Sequence, residues 1–260
     1  MNLSDPIFHD EEAARAYLET QRWPDGPICP WCGLGDRVKP LGGKSMGPGW
    51  YNCAGCCDKF TVRVGSIFER SHVPLRKWLL AFRLMCGSKK GVSAHQLHRT
   101  LEVTYKTAWF MAHRIREAMR EQHTQTLGGP DKIVEADETF IGRSPKRQKY
   151  SGSGGYAHKI AVVSLVERGG PIRSFKMHGP PTAHEIKSAI RDHVAPDSRL
   201  MTDGAQYYKG VMPRHESVDH SKHEYVRGEA HTNTLEGFFS VFKRGMVGVY
   251  QHLGGIPPNT

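Results

Sequence analysis

The sequence predicts an α/β fold with a mixed sheet, preceded by a small cysteine-bearing module and a helical segment. Three observations predict it. Two Cys-x-x-Cys pairs lie within residues 26–65, helical periodicity runs from 74 to 122, and beyond "TLGGPD" at 126–131 the apolar period becomes that of strands. A chain of 260 residues can bury one substantial core plus one or two small modules. The expected organisation is an N-terminal helix in 1–25, the cysteine module at 26–65, the helical segment at 66–126, the α/β domain at 127–252 and a tail at 253–260.

The first element is "DEEAARAYLET" at 10–20, a short amphipathic helix whose leading acids suit the positive end of its dipole. "CPWC" (Cys29, Cys32) and "CAGC" (Cys53, Cys56) follow, with twenty residues between the pairs. Four thiolates at this spacing can converge on one tetrahedral Zn2+, while adjacent backbone amides spread their charge. The alternative is four incidental buried cysteines. The intervening "GLGDRVKPLGGKSMGPGWYN" has the glycine turns and short strands of a zinc ribbon. Such a site is structural, because four protein ligands leave no position for a substrate. Cys57 and Cys86 fit no ligand spacing and are read as structural.

"PLRKWLLAFRLMCGS" reads as a helix, and "SAHQLHRTLEVTYKTAWFMAHRIREAM" as two more, broken near "EVT" with Thr104 capping the second. A helix-turn-helix has this spacing and sends its second helix into the DNA major groove. That helix would present Tyr105, Lys106, His113, Arg114 and Arg116. A purely structural helical hairpin carries the same pattern.

Beyond the turn-rich stretch, "KIVEADETFIG", "KIAVVSLVER" and "IRSFKMHG" read as three strands, the first two joined by a basic, flexible connection at 143–158. "TAHEIKSAIRDHV" reads as a helix, "SRLMTDG" as a fourth strand, "HESVDHS" as a fifth and "NTLEGFFSVFKRGMVGV" as a closing helix. Three acids stand out: Asp137 inside the first of these strands, Asp203 at the end of the fourth, and Glu236 on the closing helix. At about 100° per residue, Asn233, Glu236, Ser240 and Lys243 share one face of that helix, and Leu235, Phe238, Phe239 and Phe242 form the other. Carboxylates from two strands and a helix can hold two Mg2+ or Mn2+ ions about 3.5–4 Å apart for phosphodiester chemistry. Lys243, about 10 Å along the helix from Glu236, and Arg244 would meet DNA phosphates. Polar strand ends and a solvated helix face are the competing explanation.

Lysine and arginine number 36 against 26 acids, a formal charge of +10, which suits a polyphosphate partner. No apolar run approaches the ~18 residues of a membrane span, and the acidic N-terminus lacks a secretory pattern. The expectation is a cytoplasmic, nucleoid-associated protein with reduced cysteines and no membrane partner.

"VEADETFIG", "MTDG" with "YYKG", and "HTNTLEGFFSVFKRG" resemble the motifs of bacterial insertion-sequence DDE transposases of the ISXO-like group, and "RWPDGPICPWCG" with the second cysteine pair resembles that group's zinc ribbon. The resemblance covers about residues 8–252. It implies a ribonuclease-H-like catalytic domain, with Asp137 and Asp203 as the first two ligands of the catalytic Mg2+ or Mn2+. Members carry both an asparagine and a glutamate at the third position. Glu236 is preferred here because a carboxylate balances metal charge, with Asn233 as the competing assignment. Implied partners are double-stranded DNA, both terminal inverted repeats and target, and a second copy of the chain when two ends are synapsed. The ending "GVYQHLGGIPPNT" departs from the aromatic and basic helix with which relatives continue. A DNA-binding regulator with a silent α/β domain, or a structure-specific nuclease of the same fold, would carry the same motifs.

Overall fold

The computed structural model describes residues 2–42, 46–120, 125–142, 159–177, 181–219, 222 and 224–250. The basic connection expected at 143–158 and the tail at 253–260 lie outside these residues. The chain divides into two compact units, Met1–Glu121 and Gln122–Thr260.

The first unit opens with α1 (Glu11–Arg22), whose N-cap Asp10 accepts the Glu12 amide at 2.9 Å. A three-stranded antiparallel sheet follows: β1 (Val38–Leu41), β2 (Trp50–Cys53) and β3 (Lys59–Phe60). Three helices complete the unit: α2 (Leu75–Gly87), α3 (Ala94–Leu101) and α4 (Tyr105–Ala118). Thr104 caps α4 as its sequence position predicts, accepting the Thr107 amide at 3.2 Å. One apolar core runs from Trp23, Cys53 and Phe60 to Trp78, Leu97 and Ile115, so the cysteine module packs with the helices rather than standing apart. The N-terminus of α2 follows Pro74, which offers no side-chain cap. Glu11 supplies one from a distance, accepting the amides of Leu75 at 2.8 Å and Arg76 at 3.2 Å.

The second unit is built on a five-stranded mixed sheet. Its strands are β4 (Ile133–Ile141), β5 (Ile160–Glu167), β6 (Ile172–Lys176), β7 (Arg199–Asp203) and β8 (His215–Val218). The spatial order is β6-β5-β4-β7-β8. The first three strands pair antiparallel, while β7 joins β4, and β8 joins β7, in parallel. This is the ribonuclease-H-like mixed sheet that the resemblance implies. β5 is buried on both faces, which explains its unbroken apolar run "IAVV". One face packs Val134, Ala136, Val163 and Leu165 against α5 (Ala183–His193). The other face meets α6 (Asn233–Gly245), with Leu235 and Phe239 against Val166, and Phe242 against Ile141 and Val162.

The "TLGGPD" stretch is not a loose linker. Leu127 is buried in the second core, donates its amide to the His193 carbonyl at 2.7 Å and accepts that of Ala195 at 2.8 Å. Gly128 has φ +86°, and a Cβ there would lie 2.1 Å from Ser198 Oγ. Gly128 therefore allows a close approach of Ser198 that a side chain would block. Among the described residues, no helix is long and apolar enough to cross a membrane.

Candidate functional site

The parallel pairing of β4 and β7 ends at Ala136 and Thr202. The next residue on each strand is an aspartate. Asp137 and Asp203 share the sheet face that α6 covers, with Ile141 on β4 and Met201 on β7 marking that face. They sit where the parallel pairing finishes, at the carboxyl end of β7, the side of an α/β sheet where ligands usually bind. Beyond Ala136 the β7 side of β4 is unpaired, and Glu138 joins the group from the opposite face. Ligand oxygens of Asp137, Glu138 and Asp203 all lie within 4.8 Å of one another.

Each carboxylate is held. Asp137 Oδ1 accepts the Glu138 amide at 2.7 Å, and Asp203 Oδ1 accepts the Ala205 amide at 3.1 Å. Glu138 accepts the hydroxyls of Tyr207 and, at 2.9 Å, Tyr208, both on the short 3-10 turn after β7. Burial, then the charge of Glu138, pushes Asp137 up to about 7, with Asp203 and Glu236 adding to the effect. Burial also raises Glu138, against the pull of the two tyrosine hydroxyls. Both tyrosines are pushed upward, first by burial and then by Glu138, so they remain hydrogen-bond donors near neutrality.

Half-buried carboxylates crowded together without protons are unstable, and a divalent cation relieves that repulsion directly. The consequence is measurable. Unfolded Asp releases its proton near pH 4, whereas Asp137 in the cation-free fold keeps it to about pH 7. Asp137's contribution to the stability of that fold is therefore fully present below about pH 4 and is lost as pH rises toward 7, by on the order of 4 kcal/mol at most. Asp137→Asn should raise the melting temperature at pH 7.5, in zinc-loaded protein without Mg2+ or Mn2+, and flatten its dependence between pH 4 and 7. A variant that melts like the wild type across that window would contradict the crowding.

The other expected residues fall into distinct places. Asn233, Glu236, Ser240, Lys243 and Arg244 are exposed on α6, while Leu235 and Phe239 are buried beneath them. Glu236 is outside the tight three-carboxylate group, yet its charge reaches Asp137. Asn233 makes a long amide contact, 3.4 Å, with His231 Nδ1. On α4, Tyr105 and Lys106 are exposed, and Tyr105 stacks on His95 at 4.3 Å. Arg114 departs from the expected outward orientation: Nη1 donates to the carbonyls of Ile67 and Glu69, each at 2.7 Å, and the guanidinium lies over Phe110. Arg116 is half-buried. The solvent face of α4 instead carries Trp109 and Phe110, each about half exposed.

The four cysteines converge. Cys29 and Cys56 sulfurs are 3.5 Å apart, as are those of Cys32 and Cys53, and all four lie within 4.8 Å. Tetrahedral Zn–S bonds of about 2.3 Å require sulfurs about 3.8 Å apart, so the cradle fits zinc. The amides of Cys56 and Gly55 hold the Cys53 thiol down to about 7, while burial and the neighbouring sulfurs push Cys32 and Cys56 up, so the crowded group does not carry four thiolates without a cation. Cys57 and Cys86 are exposed and outside this group.

Glu138, Tyr207 and Tyr208 were not singled out from the sequence. The visible signals were the acids crowded into "VEADETF" and the "YYKG" that follows Asp203.

Residues 126–255 match the ISXO2-like transposase domain, and residues 9–59 match a transposase zinc-ribbon domain. A protein of Halobacterium salinarum, described as an uncharacterized protein in transposable element ISH50, is 30% identical over 253 residues, covering 91% of this chain and 83% of that one. Among solved structures, the crystal structure of a pre-cleavage Mos1 transpososome is similar at a TM-score of 0.26 and 13% identity, over 63% of this chain and 65% of that chain.

Proposed function

This chain belongs to the ISXO2-like transposases, and from that premise we propose that it cleaves and joins DNA strands at the ends of an insertion sequence. The observation that carries the reading is the convergence of Asp137, Glu138 and Asp203 where the parallel pairing of β4 and β7 ends. Asp137 and Asp203 would hold a pair of divalent cations, with Glu236 as the third donor and Asn233 as its competitor. Glu138 is the lesser candidate, because both its oxygens already accept tyrosine hydroxyls. Mg2+ or Mn2+, when bound, would neutralise charge developing on the scissile phosphate.

The chain's own groups do the rest. Asp137 and Asp203 approach from one sheet face, and Glu138, held by Tyr207 and Tyr208, from the other. Lys243 and Arg244, exposed at the far end of α6, would take phosphates flanking the break. Water attacks a phosphodiester at the element's end and leaves a 3′-hydroxyl. That hydroxyl then attacks a target phosphodiester, and the target's 3′-oxygen departs. The zinc ribbon and the α3–α4 pair would grip double-stranded DNA, through Tyr105 and Lys106 at the start of α4. Arg114 has a smaller part in this reading than the sequence suggested, since its guanidinium is held by backbone carbonyls. Two element ends require two copies of the site, so the working form is a homo-oligomer acting in the cytoplasm on nucleoid DNA.

The test is incubation of purified protein with labelled terminal-repeat DNA, target DNA and Mg2+ or Mn2+. Cleaved ends and joined products are expected. Cleavage without joining identifies a nuclease, and specific binding without cleavage identifies a regulator; either result contradicts the proposal.

A further inference from the structure

Glu135 stands two residues before Asp137 on the same face of β4 and is 0% exposed. A carboxylate buried there is costly unless its oxygens are matched. They are matched fully: Oε1 accepts Arg168 Nε at 2.7 Å and Thr234 Oγ1 at 2.8 Å, and Oε2 accepts the Leu235 amide at 3.0 Å. Arg168 Nη2 continues to the His231 carbonyl at 2.9 Å.

Thr234 and Leu235 belong to the first turn of α6. The residue in the N-cap position, Thr232, offers that turn no side-chain cap; its hydroxyl contacts Glu236 at 3.4 Å instead. The missing cap comes from Glu135, about a hundred residues earlier in the chain. The strand that carries Asp137 therefore also holds the turn that carries Asn233 and Glu236. Leu235 and Phe239 fasten the helix to the sheet by apolar contact, a non-directional attraction. Hydrogen bonds to a buried anion add direction to it.

We propose that Glu135, with Arg168, is a positioning residue that sets the location of α6 on β4, and thereby the distance from Asp137 to the third metal-ligating position. The inference rests on the reading of Asp137 as a metal ligand and adds to it. Neither residue touches metal or DNA in this account. A positioning partner of this kind is worth about 10–100-fold in metal affinity.

The experiment uses the zinc-loaded full chain and Mn2+ as the probe, with binding followed by the electron paramagnetic resonance of free Mn2+. Wild type, Glu135→Gln, Thr234→Val and Asp137→Ala are compared well below their melting temperatures, alongside amide exchange of α6. Expected for Glu135→Gln is Mn2+ binding weaker by about tenfold or more, with faster exchange at Leu235 and Glu236 and unchanged protection in β4 and β5. Thr234→Val removes one hydrogen bond and leaves the buried charge pair, so it remains informative if Glu135→Gln does not fold; a smaller loss in the same direction is expected. A folded Glu135→Gln, or in its absence Thr234→Val, that binds Mn2+ like the wild type overturns the inference while Asp137→Ala still loses binding. Equal binding by Asp137→Ala and wild type overturns the underlying metal reading and the inference with it.

Discussion

Alanine at Asp137 or Asp203 is expected to lower DNA strand cleavage by about 10³-fold or more while leaving binding of terminal-repeat DNA within a few-fold of wild type. The magnitude follows from removing a ligand of the cations that supply several kcal/mol to phosphodiester chemistry, at about 1.4 kcal/mol per factor of ten. The two aspartates stand just beyond the last paired residues of β4 and β7 and face the same side of the sheet, so each supplies its own oxygens to the site. The check is single-turnover cleavage of labelled DNA with saturating Mn2+, together with a binding measurement in the same buffer. Cleavage retained within tenfold in either variant would remove that residue from the site. The prediction separates from the effect on folding, because relieving the carboxylate crowding at Asp137 should stabilise the cation-free protein even as activity disappears.

The second large effect concerns zinc. Removing it, by chelation or by Cys53→Ser, is expected to unfold the cysteine module and lower the melting temperature of the Met1–Glu121 unit. Zinc binding in small Cys-ligated modules is worth about 10–16 kcal/mol, comparable with or larger than the whole stability of an ordinary domain, roughly 5–15 kcal/mol. The β1–β3 sheet has only short strands, the last of them Lys59–Phe60, and cannot stand without a staple. Because Cys29, Cys53 and Phe60 lie in the same core as Trp23, Trp78 and Leu97, the damage should spread into the helices. Metal analysis should find one zinc per chain. Amide exchange before and after chelation should show lost protection first around residues 26–65 and then in α1 and α2. Full zinc removal with an unchanged melting temperature would contradict the structural role.

Local chemistry made much of this fold legible in the sequence. The spacing of Cys29, Cys32, Cys53 and Cys56, the Thr104 cap and the apolar stripe of Leu235, Phe239 and Phe242 each depend on residues close in the chain. Asp137 within its strand and Asp203 at the end of its own could be read in the same way. The missed features depend on partners far away in sequence. Glu138 meets Tyr207 and Tyr208 across about seventy residues, and Glu135 meets Leu235 across a hundred. Nothing in strand alternation reveals which of three nearby acids will face a metal, a pair of hydroxyls or a helix end. Arg114 shows the same limit: carbonyls of Ile67 and Glu69, more than forty residues earlier, capture a guanidinium that helical periodicity alone assigns to an exposed basic face. The remote capping of α2 by Glu11 and of α6 by Glu135 is one device used twice, each time where the local cap position supplies no side-chain acceptor.

In "VEADETF" the three acids thus make separate contacts: Glu135 accepts hydrogen bonds from the first turn of α6, Asp137 lies beside Asp203 and Glu138 engages the tyrosines. The proposed chemistry requires that Asp137 and Asp203 bind the same divalent cation or cation pair. The direct measurement is a crystal structure of the zinc-loaded protein soaked in Mn2+, with anomalous scattering recorded to locate manganese. A manganese peak is expected in coordination contact with carboxylate oxygens of both aspartates, on the α6 side of the sheet. Full manganese occupancy elsewhere, with no peak between Asp137 and Asp203, would contradict it.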